Sequence, residues 1–326
     1  MAMNWAIETR GLSKQFDRKL AVNQVDLKIS PGEVYGLIGP NGAGKTTLIR
    51  MLAAVEEPTL GKILIDGEYL TGESLSGEDP NRRSRRAKLK QRIGFLPDDF
   101  PVYEDLTVWD YLDYFGRLYG LRRSHLRQRL YEVLDLVQLL PKRDSPIATL
   151  SRGMKQRLSL ARTIIHEPIL LLLDEPVSGL DPIARLEFRN LMRILQGAGM
   201  TVLISSHVLS DLAELCTAIG VMELGRLVAS APLEALYAQF ARHTLVITAL
   251  DRLNDLQTIL RTDPRAIAWE CHPTTGRITV DFQGDETDCA DLLGEMVRAQ
   301  IPIVEFRRDR ESLEQIFLKL GHQQAS

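Results

Sequence analysis

The strongest chemical signal in the chain is the run Gly39-Pro40-Asn41-Gly42-Ala43-Gly44-Lys45-Thr46, which fits the spacing GxxxxGK[ST]. It follows the apolar run Val34 to Ile38 and precedes a helical pattern, the context such a loop needs. Glycines at these positions let successive backbone N–H groups turn inward around phosphate oxygens, and the helix start adds the positive end of its dipole. Lys45 sets a cation against the terminal phosphates, Thr46 offers its hydroxyl to a magnesium ion, and Thr47 extends the cradle into the first helical turn. A second element lies 129 residues beyond Lys45, where the apolar run Ile169 to Leu173 ends in Asp174-Glu175. A buried strand that delivers two carboxylates at its C-terminal end puts them where ligands of open α/β sheets bind. Asp174 suits a magnesium ion held through water, and Glu175 suits a base or orienter for an attacking water.

These residues need a scaffold, and the chain is long enough for two domains at 326 residues. With 40 basic and 43 acidic side chains the formal charge is −3, which argues against a globally basic nucleic-acid binder. Apolar residues at 44% and charged residues at 25% match ordinary globular usage and exclude extended disorder. Cys216, Cys271 and Cys289 show no CxxC spacing, so a disulfide framework or zinc knuckle is not indicated and a reducing compartment fits. No apolar run reaches the roughly 18 residues that cross a bilayer, and Glu8 and Arg10 stand where a secretory segment would be apolar. A membrane role is therefore expected to run through a partner chain.

From Trp5 to about Phe240, short apolar strands alternate with amphipathic stretches, the pattern of an α/β domain with a largely parallel sheet. Val25, Leu27 and Ile29 predict one half-buried strand, and Asp66-Gly67 predicts a tight turn between two more. The spacing of Leu112, Tyr114, Phe115 and Leu118, then of Leu130, Val133, Leu134 and Val137, predicts a helical insertion. Between Thr71 and Arg92, Glu73, Glu78 and Asp79 precede a run of seven basic residues ending in Lys88, Lys90 and Arg92. This reads as a solvated loop and helix face or, more sharply, as a basic patch facing anionic lipid or an acidic loop. Residues 241–326 carry 10 basic and 14 acidic side chains, a shift that marks a second domain. There, the order strand, helix, strand, strand, helix, strand is ferredoxin-like, with a last helix expected from Ser312 to Leu320.

The ordered motifs over residues 4–235 resemble the nucleotide-binding subunits of ABC transporters. Leu150-Ser151-Arg152-Gly153-Met154-Lys155-Gln156-Arg157 is similar to that family's signature loop, and Ser178-Gly179-Leu180-Asp181-Pro182 to its D-loop. His207, after the strand Thr201 to Ser205, resembles the switch histidine, and Phe16 falls where the family stacks an aromatic ring on adenine. The resemblance implies a P-loop ATPase domain at 1–238, with a helical insertion over about 107–165, and a small α+β accessory domain at 239–326. It implies magnesium-dependent ATP hydrolysis, with Lys45, Glu175 and His207 catalytic and Thr46, Asp174 and, through water, Asp98 at the metal. It implies a head-to-tail homodimer in which the cradle Gly39 to Thr46 of one copy faces Ser151 and Gly153 of the other, with Asp181 in the D-loop between them.

Two departures stand out. Asp98 occupies the place of a glutamine that contacts magnesium and the permease, and Arg152 and Met154 replace a glycine and a glutamine of the signature. Together with Ser312-Leu313-Glu314-Gln315-Ile316-Phe317 near the end, these features look like exporter ATPases with a separate, multi-spanning permease chain. That implies a place on the cytoplasmic membrane face, held through the permease, and no nucleic-acid partner. The permease is expected to insert a short helix beside the insertion, against Phe100, Pro101, Tyr103 and Glu104. The rival readings are an importer ATPase and a soluble ABC-type ATPase acting on ribosomes or DNA; the single phosphate loop and the lack of sustained heptads disfavour the latter.

Overall fold

The computed structural model describes residues 5–71, 82–99, 101–208, 212, 214–240 and 243–310. The expected helix Ser312 to Leu320, the stretch Ser312 to Phe317, Phe100, and the acidic residues Glu73, Glu78 and Asp79 lie outside these. The chain divides into two compact units, Met1–Leu233 and Glu234–Ser326.

The first unit begins with β1 (Ile7–Phe16), β2 (Lys19–Val25) and β3 (Lys28–Ile29), followed by β4 (Val34–Ile38) and α1 (Lys45–Leu52). Strands β5 (Leu60–Ile65) and β6 (Glu68–Thr71) meet at Asp66 and Gly67, both at positive φ (50° and 77°), the backbone a two-residue hairpin turn requires. They complete an antiparallel sheet in the order β2-β1-β5-β6, with β3 beside β1. The single strand predicted through Val25, Leu27 and Ile29 is instead broken. The Thr9 hydroxyl accepts from Leu27 N at 2.9 Å and donates to Val25 O at 2.9 Å, so a side chain replaces part of the ladder. All three apolar residues are still buried, which is why their alternation looked like one strand.

After α2 (Arg82–Lys90) come β7 (Ile93–Leu96), the insertion helices α3 (Val108–Leu118) and α4 (Arg123–Leu136), and α5 (Arg152–Ile164). Then follow β8 (Leu170–Leu173), α6 (Pro182–Gly197), β9 (Thr201–Ser206), β10 (Ala218–Glu223) and β11 (Arg226–Pro232). The second sheet runs β11-β10-β4-β9-β8-β7, parallel except for the edge pair β10/β11. Strands β4, β8 and β9 are buried at every residue, as strands covered on both faces must be. Ile169, expected in β8, lies outside it and is 40% exposed.

Helix α3 forms where predicted but turns a different face inward. Its buried residues are Val108, Tyr111, Leu112 and Gly116, while Tyr114 and Leu118 are exposed. The reason is close packing at Gly116, where an added Cβ would meet Leu126 of α4.

The second unit contains α7 (Leu233–Phe240), β12 (His243–Ala249), α8 (Leu253–Thr262), β13 (Ala266–His272), β14 (Arg277–Phe282), α9 (Glu286–Arg298) and β15 (Ile303–Arg310). Its antiparallel sheet has the order β13-β14-β12-β15, the ferredoxin-like arrangement. Leu245, Ile247, Ile278, Val280 and Phe282 pack with Leu256, Leu260, Leu292 and Met296 into its core.

Candidate functional site

The loop Gly39 to Gly44 joins β4 to α1 at the carboxyl edge of the parallel sheet. Its backbone turns through left-handed conformations at Gly39 (φ 154°), Gly42 (83°) and Gly44 (102°). A Cβ on Gly39 would fall on the Met222 carbonyl oxygen, and one on Gly44 on that of Ala21, so no other residue fits either position. Lys45 is 6% exposed, and its amino group donates to Gly39 O at 2.7 Å and to Pro40 O at 3.4 Å. The cation thus folds back over its own loop and stands 3.5 Å from Glu175 Oε1.

Strand β8 delivers Asp174 and Glu175 beside this loop. Asp174 is 1% exposed, and its Oδ1 accepts from Ser205 Oγ at 2.7 Å, while the same Ser205 oxygen accepts from Glu175 N at 2.9 Å. One hydroxyl from β9 therefore fixes the Asp174 carboxylate and the Glu175 backbone together. Burial pushes the Asp174 carboxyl above the usual range; hydrogen bonds from Ser205 and Thr46 oppose that, and the charges of Glu175 and Asp98 add to it. Glu175 has φ 48°, a conformation that costs a non-glycine residue free energy and is held by its surroundings. Its Oε2 lies 2.8 Å from His207 Nδ1 and accepts from His207 N at 3.3 Å.

Lys45, Thr46, Thr47, Asn41, Gly42, Ala43, Gly44, Asp98, Glu175 and His207 line one cleft of about 340 Å³. Asp174 sits beneath it, bonded to Thr46 and Ser205. Gly39 and Pro40 do not line it but hold the Lys45 ammonium through their carbonyls. Lys19 and Ala21, which the motifs do not mark, also line it, as does Ser178 at the start of the D-loop-like stretch; for Lys19, the signal available is its place in the hairpin opposite Phe16. Phe16 is 43% exposed at that hairpin, under the Lys14 amino group 4.7 Å from its ring centroid, and does not line the cleft.

Ser151 and Gly153 lie outside this cleft. Ser151 caps α5 by accepting from Met154 N at 3.3 Å, and Asp181 caps α6 by accepting from Ile183 N and Ala184 N at 3.0 and 2.9 Å. The signature helix is tied to the loop after Glu175. Gln156 Nε2 donates to Pro176 O at 2.6 Å and Arg152 Nη2 to Ser178 O at 3.1 Å.

Among the described residues no three His, Cys, Asp or Glu side chains converge to hold a metal on their own. The donor set of Thr46 hydroxyl and buried Asp174 carboxylate nevertheless fits magnesium, which takes oxygen ligands and is held by one or two protein groups with water and phosphate supplying the rest. A buried carboxylate with a raised pKa is also the group that a nearby cation would relieve.

The ABC transporter family model matches residues 22–178. The ABC transporter ATP-binding protein YcbN of Bacillus subtilis is 38% identical over 248 residues, covering 76% of each chain. The Nod factor export ATP-binding protein I of Burkholderia orbicola is 33% identical over 317 residues, covering 96% of each. Among solved structures, cbiO1 of Clostridium perfringens, part of the ABC transporter complex cbiONQ, superposes with a TM-score of 0.64 at 25% identity over 72% of this chain and 92% of its own.

Proposed function

This chain belongs to the ATP-binding subunits of ABC transporters, which bind and hydrolyse ATP to drive a membrane permease, and from that premise we propose that it powers an exporter through magnesium-dependent hydrolysis in the cleft of Lys45, Asp174 and Glu175. The observation that carries the site is the position of Glu175, between the Lys45 ammonium at 3.5 Å and His207 Nδ1 at 2.8 Å, with its backbone tied to Ser205. The phosphates lie along the N–H groups of Gly42 to Thr46, where the start of α1 adds its dipole. Lys45 leaves the Gly39 and Pro40 carbonyls to meet the terminal phosphate oxygens. Glu175 holds the attacking water and takes its proton at a carboxylate oxygen, while His207 positions Glu175 and meets the γ-phosphate. Thr46 and Asp174, with Asp98 through water, would hold magnesium, which when bound would supply charge neutralisation on the phosphate oxygens.

Ser151 and Gly153 stand apart from their own cleft, which supports a head-to-tail homodimer in which they close on the partner's nucleotide. Direction of transport rests on end-to-end similarity to Nod factor export ATP-binding proteins. No helix among the described residues is long and apolar enough to cross a membrane, in keeping with attachment to the cytoplasmic membrane face through the permease. Tyr103, 57% exposed beside Tyr114 and Phe115, and Glu104, paired with Lys155 of the signature helix, offer that permease a surface linked to α5. Residues 239–326 act as an accessory domain without chemistry of their own.

Steady-state ATPase of the purified chain tests the site: activity is lost with chelator, restored by magnesium, and reduced at least a hundredfold in Asp174→Asn. Undiminished turnover in Asp174→Asn contradicts the metal assignment.

A further inference from the structure

A second cleft, of about 470 Å³, opens between α3 and α4 and shares no lining residue with the nucleotide cleft. Its floor is Leu126 and Leu130, both buried, and Trp109 and Tyr131 meet edge to face at one wall with centroids 5.1 Å apart. Arg117, Arg123, Arg127 and Arg143 line it, against two acidic residues. Those two are already matched: Asp113 pairs with Arg117 at 2.6 Å and Asp144 with Arg143 at 3.2 Å. Arg123 and Arg127 have no ionic or hydrogen-bonding partner among the described residues. The start of α4 adds to the same sign, since Arg122 provides no side-chain cap and the first turn holds no acidic residue.

The shape narrows the ligand. A lipid surface is flat and is met by protruding basic side chains, whereas this site is concave with an apolar floor. It also lacks a glycine-rich backbone cradle of the kind that surrounds phosphates at Gly39 to Gly44. Arg123 and Arg127 stand one turn apart on α4, about 6 Å along its axis. Carboxylates on alternate residues of an extended peptide recur at about 6.6 Å, which matches that spacing. An apolar side chain between them has Trp109 and the leucine floor to cover it. We propose that the α3–α4 cleft binds a short acidic peptide segment of a partner protein, with Arg123 and Arg127 taking alternate carboxylates.

Calorimetric titration of the full-length protein at low salt tests this, using a capped heptapeptide with glutamate at alternate positions and one central leucine. The peptide binds, its lysine counterpart does not, and the double variant Arg123→Glu/Arg127→Glu weakens binding by roughly tenfold or more while keeping wild-type ATPase. The neutral pair Arg123→Gln/Arg127→Gln gives an intermediate loss. Absence of binding by the wild type, or equal affinity in the charge-reversed variant, overturns the proposal. So does sedimentation with phosphatidylglycerol vesicles that depends on the two arginines while the peptide fails to bind, since the site then reads lipid headgroups.

Discussion

The two units of the chain treat charge in opposite ways. At the carboxyl edge of the parallel sheet, charged groups are held in unfavourable settings. Asp174 is buried with its carboxyl pushed upward, Glu175 sits at φ 48°, and Lys45 rests on carbonyl oxygens of its own loop. In the second unit, charges answer one another within a few residues. Arg265 forks between Asp263 at 2.8 Å and Asp288 at 2.9 Å, and Asp285 and Asp288 form a reciprocal cap on α9. Its guanidinium holds the Asp263 carboxyl below the usual range, and the Asp285 backbone and Arg265 do the same for Asp288. A site that holds a buried carboxylate and a strained backbone keeps that energy for a ligand; a cluster such as Arg265, Asp263 and Asp288, whose charges answer one another, uses it for its own fold.

The sharpest way to break this contrast is Lys45→Ala. If the ammonium is kept for phosphate, turnover falls by about two to three orders of magnitude. Thermal stability changes little, because the polar contacts of the Lys45 ammonium are to loop carbonyls and Glu175. A large loss of stability with modest loss of turnover would make Lys45 a structural residue.

Ser205→Ala ranks next. Its hydroxyl donates to Asp174 and accepts from Glu175 N, so its removal is expected to lower kcat roughly thirtyfold, in line with two lost hydrogen bonds of ~1 kcal/mol each. Ser205→Thr, which keeps the oxygen, recovers part of it, and an unchanged kcat in Ser205→Ala would detach β9 from the site.

The smallest effect belongs to the second unit. Arg265→Ala is expected to cost about 1–2 kcal/mol of stability at pH 7, read by denaturant unfolding, and to leave ATPase intact. Because Asp263 and Asp288 titrate below their ordinary value of 3.8 when paired, the contribution is present above that pH and is lost as pH falls through the lowered values. The gap between wild type and variant therefore narrows only below about pH 4. A gap that is constant down to acid would remove the ion pairs from the account.

What could be read from the sequence follows the same division between near and far. The phosphate loop, the Asp174-Glu175 pair, the Asp66-Gly67 turn and the strand–helix order of the second unit all lie in short windows where one period or one motif decides. The break of β2 and β3 by Thr9 was not legible, because it depends on a hydroxyl 16 to 18 residues away entering the ladder. The inward face of α3 was missed because Gly116 draws Leu126 close, which apolar periodicity does not encode. The sequence sets Ser205 only at the end of the strand before His207, since its bond to Asp174 spans 31 residues.

The central claim, that the strained carboxylate at the end of β8 is kept for the chemical step, is tested most directly by Glu175→Gln. The account predicts that this variant binds ATP with wild-type affinity, turns over at least a hundredfold more slowly, and accumulates as a nucleotide-bound dimer in size-exclusion chromatography with ATP and magnesium. Turnover within a few-fold of wild type would contradict it and remove Glu175 from the mechanism.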